Sequence, residues 1–241
     1  MLDHYAPEDD ATYTGAAFTE GWMRRFAASA RATEAQLTAL DQRVGDGDFG
    51  VNLMAGLDAT VTALDAEAAA APAMPAGDRA GRPLQAAATA FLDGVGGTSG
   101  PLFGLLLEEL AVAAAGPALD MTALRAGLTG GLAAIQRVGE ARPGDKTLVD
   151  ALYPACEALR VCPAEAGPRA ALAHASRAAW EGVRGTARLR ARRGRASYVG
   201  ERATGVPDPG AVGIGLLLSS AGATVTALAP LLADPGTAVP H

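Results

Sequence analysis

Phe18, Trp22 and Phe26 stand four residues apart, and Leu37 and Leu40 continue the same side, so the chain opens with helical periodicity. Nowhere do apolar and polar residues alternate convincingly with period two, which removes the usual mark of a half-buried strand. Apolar residues make up 49% of the chain but aromatics only 5%, and alanine and leucine dominate. Small residues of high helix propensity let helices approach closely, so the expected fold class is all-α.

Glycine and proline then divide the chain. A second helix is expected from about Val51 to Leu64, and a linker from Ala66 to Pro83 with Pro72 and Pro75 as its breakers. Leu84 to Leu92 reads as a short helix. The next should carry Leu102, Leu105, Leu106 and Leu110 inward, with Pro101 in its first turn and Thr98 or Ser99 as its cap. Met121 to Val138 is another, and a further helix begins near Thr147. Arg169 to about Leu189 makes a seventh. Ala211 to Leu232 makes an eighth, opened by the start signal Asp208-Pro209-Gly210. No repeat of about 20–50 residues is visible.

Composition excludes several functions. With 241 residues the chain fits one large domain or two small ones, and its net charge of −6 argues against nucleic acid as the main partner. Cys156 and Cys162 form no CxxC pattern, and only His4, His174 and His241 are present, so zinc is not expected. Met1 to His4 lacks the marks of a signal peptide, which makes the cytoplasm the expected location. Gly210 to Ala233 carries no charge and is long enough to span a bilayer. Ser219, Ser220, Thr224, Thr226 and Pro230 dilute it and no Lys or Arg anchors it, so a buried core helix is expected, with no membrane partner.

The chemistry concentrates in Leu40-Asp41-Gln42-Arg43-Val44-Gly45-Asp46-Gly47-Asp48-Phe49-Gly50. Three carboxylates this close repel unless a cation lies between them, and all-oxygen ligands with room for phosphate suit Mg²⁺ better than Ca²⁺. A solvated acidic turn is the plain alternative. A calcium EF-hand fails on register. Starting at Asp46, Gly50 falls where an oxygen ligand belongs, Val51 takes the glycine position, and Leu57 replaces the bidentate Glu. Several later helix starts share a glycine-rich turn followed by an acidic or hydroxyl residue. Helix N-termini favour phosphate, and alternate connections of an up-and-down bundle share one end.

Gly139-Glu140-Ala141-Arg142-Pro143-Gly144-Asp145-Lys146-Thr147 resembles a P-loop, but Asp145 separates glycine from lysine and the preceding residues read as helix, not strand. Lys146 is the single lysine beside nineteen arginines, and a solvated helix-start lysine is its expected state. Arg184, Arg188, Arg190, Arg192, Arg193, Arg195 and Arg202 crowd one stretch. They read equally as a solvated basic helix end or as an anion or docking site.

Taken together, four blocks resemble the nucleotide-binding L subunit, or L domain, of dihydroxyacetone kinases. They are the acidic run Leu40-Asp41 through Gly45-Asp46-Gly47-Asp48, Gly96-Gly97-Thr98-Ser99-Gly100-Pro101-Leu102-Phe103-Gly104, Pro143-Gly144-Asp145-Lys146-Thr147, and Gly194 to Arg202 followed by Asp208-Pro209-Gly210-Ala211. The resemblance covers roughly residues 15–232, leaving 1–14 as an N-terminal extension and 233–241 as a tail. It implies a barrel of eight antiparallel helices with Mg²⁺ and ADP or ATP at one end.

By the same resemblance Asp41, Asp46 and Asp48 would hold two magnesium ions. Phe49, Gly50, Asn52, Thr98, Ser99, Gly139, Leu148, Arg195, Asp208, Pro209 and Gly210 would surround the nucleotide, with Leu148 against the base. No further catalytic residue is assigned. Phe49 stands where the family usually has histidine, and a phenyl ring can neither donate a hydrogen bond nor carry charge. The implied activity is phosphoryl transfer to dihydroxyacetone or a related keto-sugar held on a separate K subunit. The donor is ATP or a phosphohistidine protein of the sugar phosphotransferase system, and a homodimer is among the assemblies allowed. Two rivals are a fatty-acid-kinase-like nucleotide domain and a nucleotide-loaded, non-catalytic module that contacts a regulator.

Overall fold

The computed structural model describes residues 15–70 and 79–233. Its helices are α1 (Ala16–Asp41), α2 (Phe49–Ala70), α3 (Arg82–Gly94), α4 (Ser99–Ala113), α5 (Met121–Gly139), α6 (Val149–Val161) and α7 (Gly167–Thr186), followed by the short α8 (Ala196–Val199), then α9 (Pro209–Ser219) and the short α10 (Ala229–Leu232). Among the described residues there is no strand, and the fold is all-α. None of these helices is long and apolar enough to cross a membrane. The N-terminal extension, the tail from residue 234 and the breakers Pro72 and Pro75 lie outside the described residues.

Each long helix packs against the next, from α1 through α7 and on to α9, and α9 returns to α1, so the order of neighbours closes on itself. Short connections between sequential neighbours favour antiparallel packing. The side chains behind this order are the periodic ones. Phe18, Trp22, Phe26, Leu37 and Leu40 of α1 are all buried. Phe103 of α4 gathers aromatic rings from three other helices, with centroids 6.5 Å from Phe26, 6.4 Å from Phe49 and 5.9 Å from Phe91. Such offset pairs add modestly to the area that these rings bury.

Two expected helix limits change. The second helix continues to Ala70, well into the stretch read as linker, because the alanine-rich run there keeps high helix propensity. The eighth helix stops at Ser219 instead of reaching Leu232. Carbonyls at its end and just beyond it find partners on α1: Trp22 Nε1 donates to Leu217 O at 2.7 Å, while Arg25 donates to Ser220 O at 2.8 Å and Ala221 O at 2.7 Å. Carbonyls freed at a helix end need such partners, and here the neighbouring helix supplies them.

Candidate nucleotide and metal site

Four connections meet at one end of the bundle: 42–48, 95–98, 140–148 and 187–208. Residues from all four line a cavity of about 170 Å³. They are the connections after α1, α3, α5 and α7, the alternate ones that an up-and-down arrangement brings together.

Asp41 ends α1 and is buried, Asp48 is partly buried and Asp46 is exposed. Oxygen atoms of all three carboxylates lie within 4.8 Å of one another. The backbone that sets this spacing is local. Val44 N donates to Asp41 O at 2.9 Å, and Gly47 takes a φ of 81°, a left-handed conformation that suits glycine. Phe49 N, at the start of α2, donates to Asp41 Oδ2 at 3.1 Å. The guanidinium of Arg195 bonds Asp46 and stands 3.8 Å from Asp48, so one arginine from the last connection offsets part of the converging charge. Three hard oxygen donors lining a cavity fit a divalent cation that keeps positions for phosphate oxygens.

Around the carboxylates stand donors suited to phosphate. Asn52 of α2 and the hydroxyl residues Thr98 and Ser99 at the start of α4 line the cavity. Contrary to expectation, Thr98 makes no side-chain bond to cap α4. At α9 the expected cap is present: Asp208 accepts from Ala211 N at 2.8 Å, and Pro209 and Gly210 follow it along the wall. Leu102, Ile135, Leu148 and Val149 supply an apolar side, with Gly139 beside them. A lining that combines phosphate donors with apolar side chains suits the two halves of a nucleotide.

Gly50 is the exception among the expected residues. It faces α1, where an added Cβ would lie 2.6 Å from Thr38 Oγ1 and 2.8 Å from Glu34 O, so its small size serves close helix packing. Phe49 touches the cavity, but its ring packs on Phe103 in the core, and its main-chain N–H is the part that contacts the acidic loop. The arginine stretch also divides. Arg195 and Arg193 line the cavity, Arg193 pairs with Glu140 at 3.2 Å, and Arg184 donates to Leu231 O at 2.9 Å, far from any ligand role. The side chain of Arg202 lies outside those described.

Lys146 overturns the expectation of a solvated side chain. It is 1% exposed, lines the cavity, and donates from Nζ to Thr186 O and Val206 O, both at 2.6 Å. Burial pushes its ammonium below the usual lysine value, opposed by Asp208 and Asp150 nearby. Asp208 moves the other way. Burial pushes its carboxyl up to about 7, with the Ala211 N–H and Lys146 pulling it back. In the sequence Lys146 stands out only as the single lysine beside nineteen arginines; its burial is set by the tertiary structure.

The DAK2 domain model matches residues 43–223, and the chain belongs to that family. The L-erythrulose 1-kinase of Mycolicibacterium smegmatis is 38% identical over 198 residues, 80% of this chain and 33% of that protein. This chain thus spans about a third of that relative. The "PEP-dependent dihydroxyacetone kinase, ADP-binding subunit DhaL" of Escherichia coli is 35% identical over 195 residues, 80% of this chain and 89% of the relative. Among solved structures, the dihydroxyacetone kinase from C. freundii in complex with AMP-PNP and Mg²⁺ shares the fold. Its TM-score is 0.62 at 23% identity, over 91% of this chain and 36% of that one.

Proposed function

We propose that this chain is the nucleotide-binding L subunit of a kinase for dihydroxyacetone or a related keto-sugar such as erythrulose, working in the cytoplasm. The observation that carries the reading is the meeting of Asp41, Asp46 and Asp48 within 4.8 Å, in one cavity with the helix starts at Ser99 and Pro209. Likeness to an ADP-binding subunit over 89% of its length supports the same division of labour.

In this reading Asp41, Asp46 and Asp48 would hold two magnesium ions, which when bound would neutralise the phosphates. Thr98, Ser99, Asn52 and the N–H groups at helix starts orient the phosphate chain, and Leu148 packs on the base. Arg195 exchanges its carboxylate partners for phosphate oxygens. Phosphoryl transfer asks chiefly for positioning and charge stabilisation, which these groups supply. The terminal phosphoryl would pass to a keto-sugar hydroxyl as its bond to the nucleotide breaks, the nucleoside diphosphate being the leaving group and the hydroxyl proton going to a base on the subunit that holds the sugar.

That sugar sits on a separate K subunit. Exposed apolar side chains at the cavity end, Val51, Leu92, Val138 and the 91% exposed Tyr198, suit such a partner face. ATP or a phosphohistidine protein is the donor. Native mass spectrometry should find ADP or ATP with metal on the purified chain, and Asp46→Ala should lose both retention and turnover. Absence of any bound nucleotide, together with no phosphorylated product from dihydroxyacetone or erythrulose with a K subunit and either donor, would sink the reading.

A further inference from the structure

Both ends of the 187–208 connection meet at one ammonium. Thr186 closes α7 where the connection departs, and Val206 stands two residues before the cap of α9 where it returns. Lys146 Nζ donates to the main-chain carbonyls of both. Around this junction Gly205 N donates to Ala187 O at 2.7 Å, and Asp208 N donates to Thr186 Oγ1 at 2.8 Å. Within the connection, α8 packs chiefly on the adjoining 3-10 turn Gly200–Ala203, and Arg192 N donates to Asp145 O at 3.0 Å, so Arg195 is carried between the neck and the turn that holds Lys146.

We propose that Lys146 is a positioning residue: it clamps the neck of this connection and so holds Arg195 over the acidic loop. Three features favour this over an incidental buried lysine. Its backbone is left-handed, with φ 62°, a conformation that a non-glycine residue keeps only where its surroundings enforce it. Nearby Asp145 and Asp150 build that turn, as Asp145 Oδ2 accepts from Arg142 N at 2.9 Å and Asp150 Oδ2 from Thr147 N at 2.8 Å. A chain that uses arginine at every other Lys/Arg position has lysine here, where a single buried nitrogen bonds both carbonyls at 2.6 Å, whereas Arg25 reaches its two carbonyls with separate guanidinium nitrogens.

The inference rests on the cavity being a nucleotide site, but its first test does not. Hydrogen–deuterium exchange is followed peptide by peptide in the nucleotide-free wild-type chain and in Lys146→Met. The expected result is exchange faster by about tenfold in residues 188–205, with α1 to α4 unchanged. Gly205→Ala, which strains the same neck at a φ of 83° without touching Lys146, should reproduce that pattern and also serves should Lys146→Met not fold.

Calorimetry with Mg-ADP is then expected to show affinity lowered by about tenfold in both variants. With a K subunit, KM for the nucleotide should rise more than kcat falls. Unchanged exchange at 188–205, or acceleration spread evenly through α1 to α4, overturns the clamp. Wild-type protein that binds no Mg-ADP while the exchange result holds would refute the nucleotide reading and leave the clamp standing.

Discussion

Asp208 does two things that pull against each other: as the cap of α9 it accepts from Ala211 N, and as a buried carboxyl it resists ionisation. Its carboxyl is raised to about 7, so near neutral pH the folded chain holds a proton that the unfolded chain has released. The stability this contributes is complete below the ordinary carboxylate value and is lost as pH rises through about 7. Urea unfolding of nucleotide-free protein should therefore show stability falling from pH 5 to about 8, with Asp208→Asn flattening that slope. Asparagine keeps a cap acceptor, so the variant should fold. A slope equal to wild type would assign the pH dependence elsewhere. Phe49 gives the opposite lesson at this scale. Its position after Asp48 placed it at the cavity, but its ring turns to Phe103, because only the packed core decides which way a helix-start side chain faces.

Helix starts differ according to what they serve. Asp120 caps α5 by accepting from Ala123 N at 2.8 Å, at an exposed position away from the cavity. Asp120→Ala should cost about 1 kcal/mol, read as a lower thermal midpoint, with Mg-ADP affinity untouched. Thr98 caps nothing and lines the cavity. Thr98→Ala should leave the midpoint within about 0.5 kcal/mol of wild type and weaken Mg-ADP instead, the reverse pattern by the same two measurements. Most helix limits could be read from periodicity and breakers. The end of α9 could not, since the carbonyls released there are taken by Trp22 and Arg25, nearly two hundred residues earlier in the chain.

Contact of α9 with α1 closes the order of neighbouring helices, and the cavity at one end is the mouth that their connections share. Trp22, fully buried, ties that seam through its bond to Leu217 O. Trp22→Phe keeps a ring but leaves the carbonyl unpaired, and should cost about 1–3 kcal/mol in chemical denaturation. An unchanged midpoint would show that α1 and α9 close without that bond. Helical class, the order of the helices and the acidic glycine-rich run all follow from residues close in the chain, because propensity, periodicity and turn chemistry are short-range. Which connections share the mouth, why Lys146 is buried, why Gly50 faces α1 and where Arg195 reaches are matters of contact between distant segments. Only closing the ring brought those segments together.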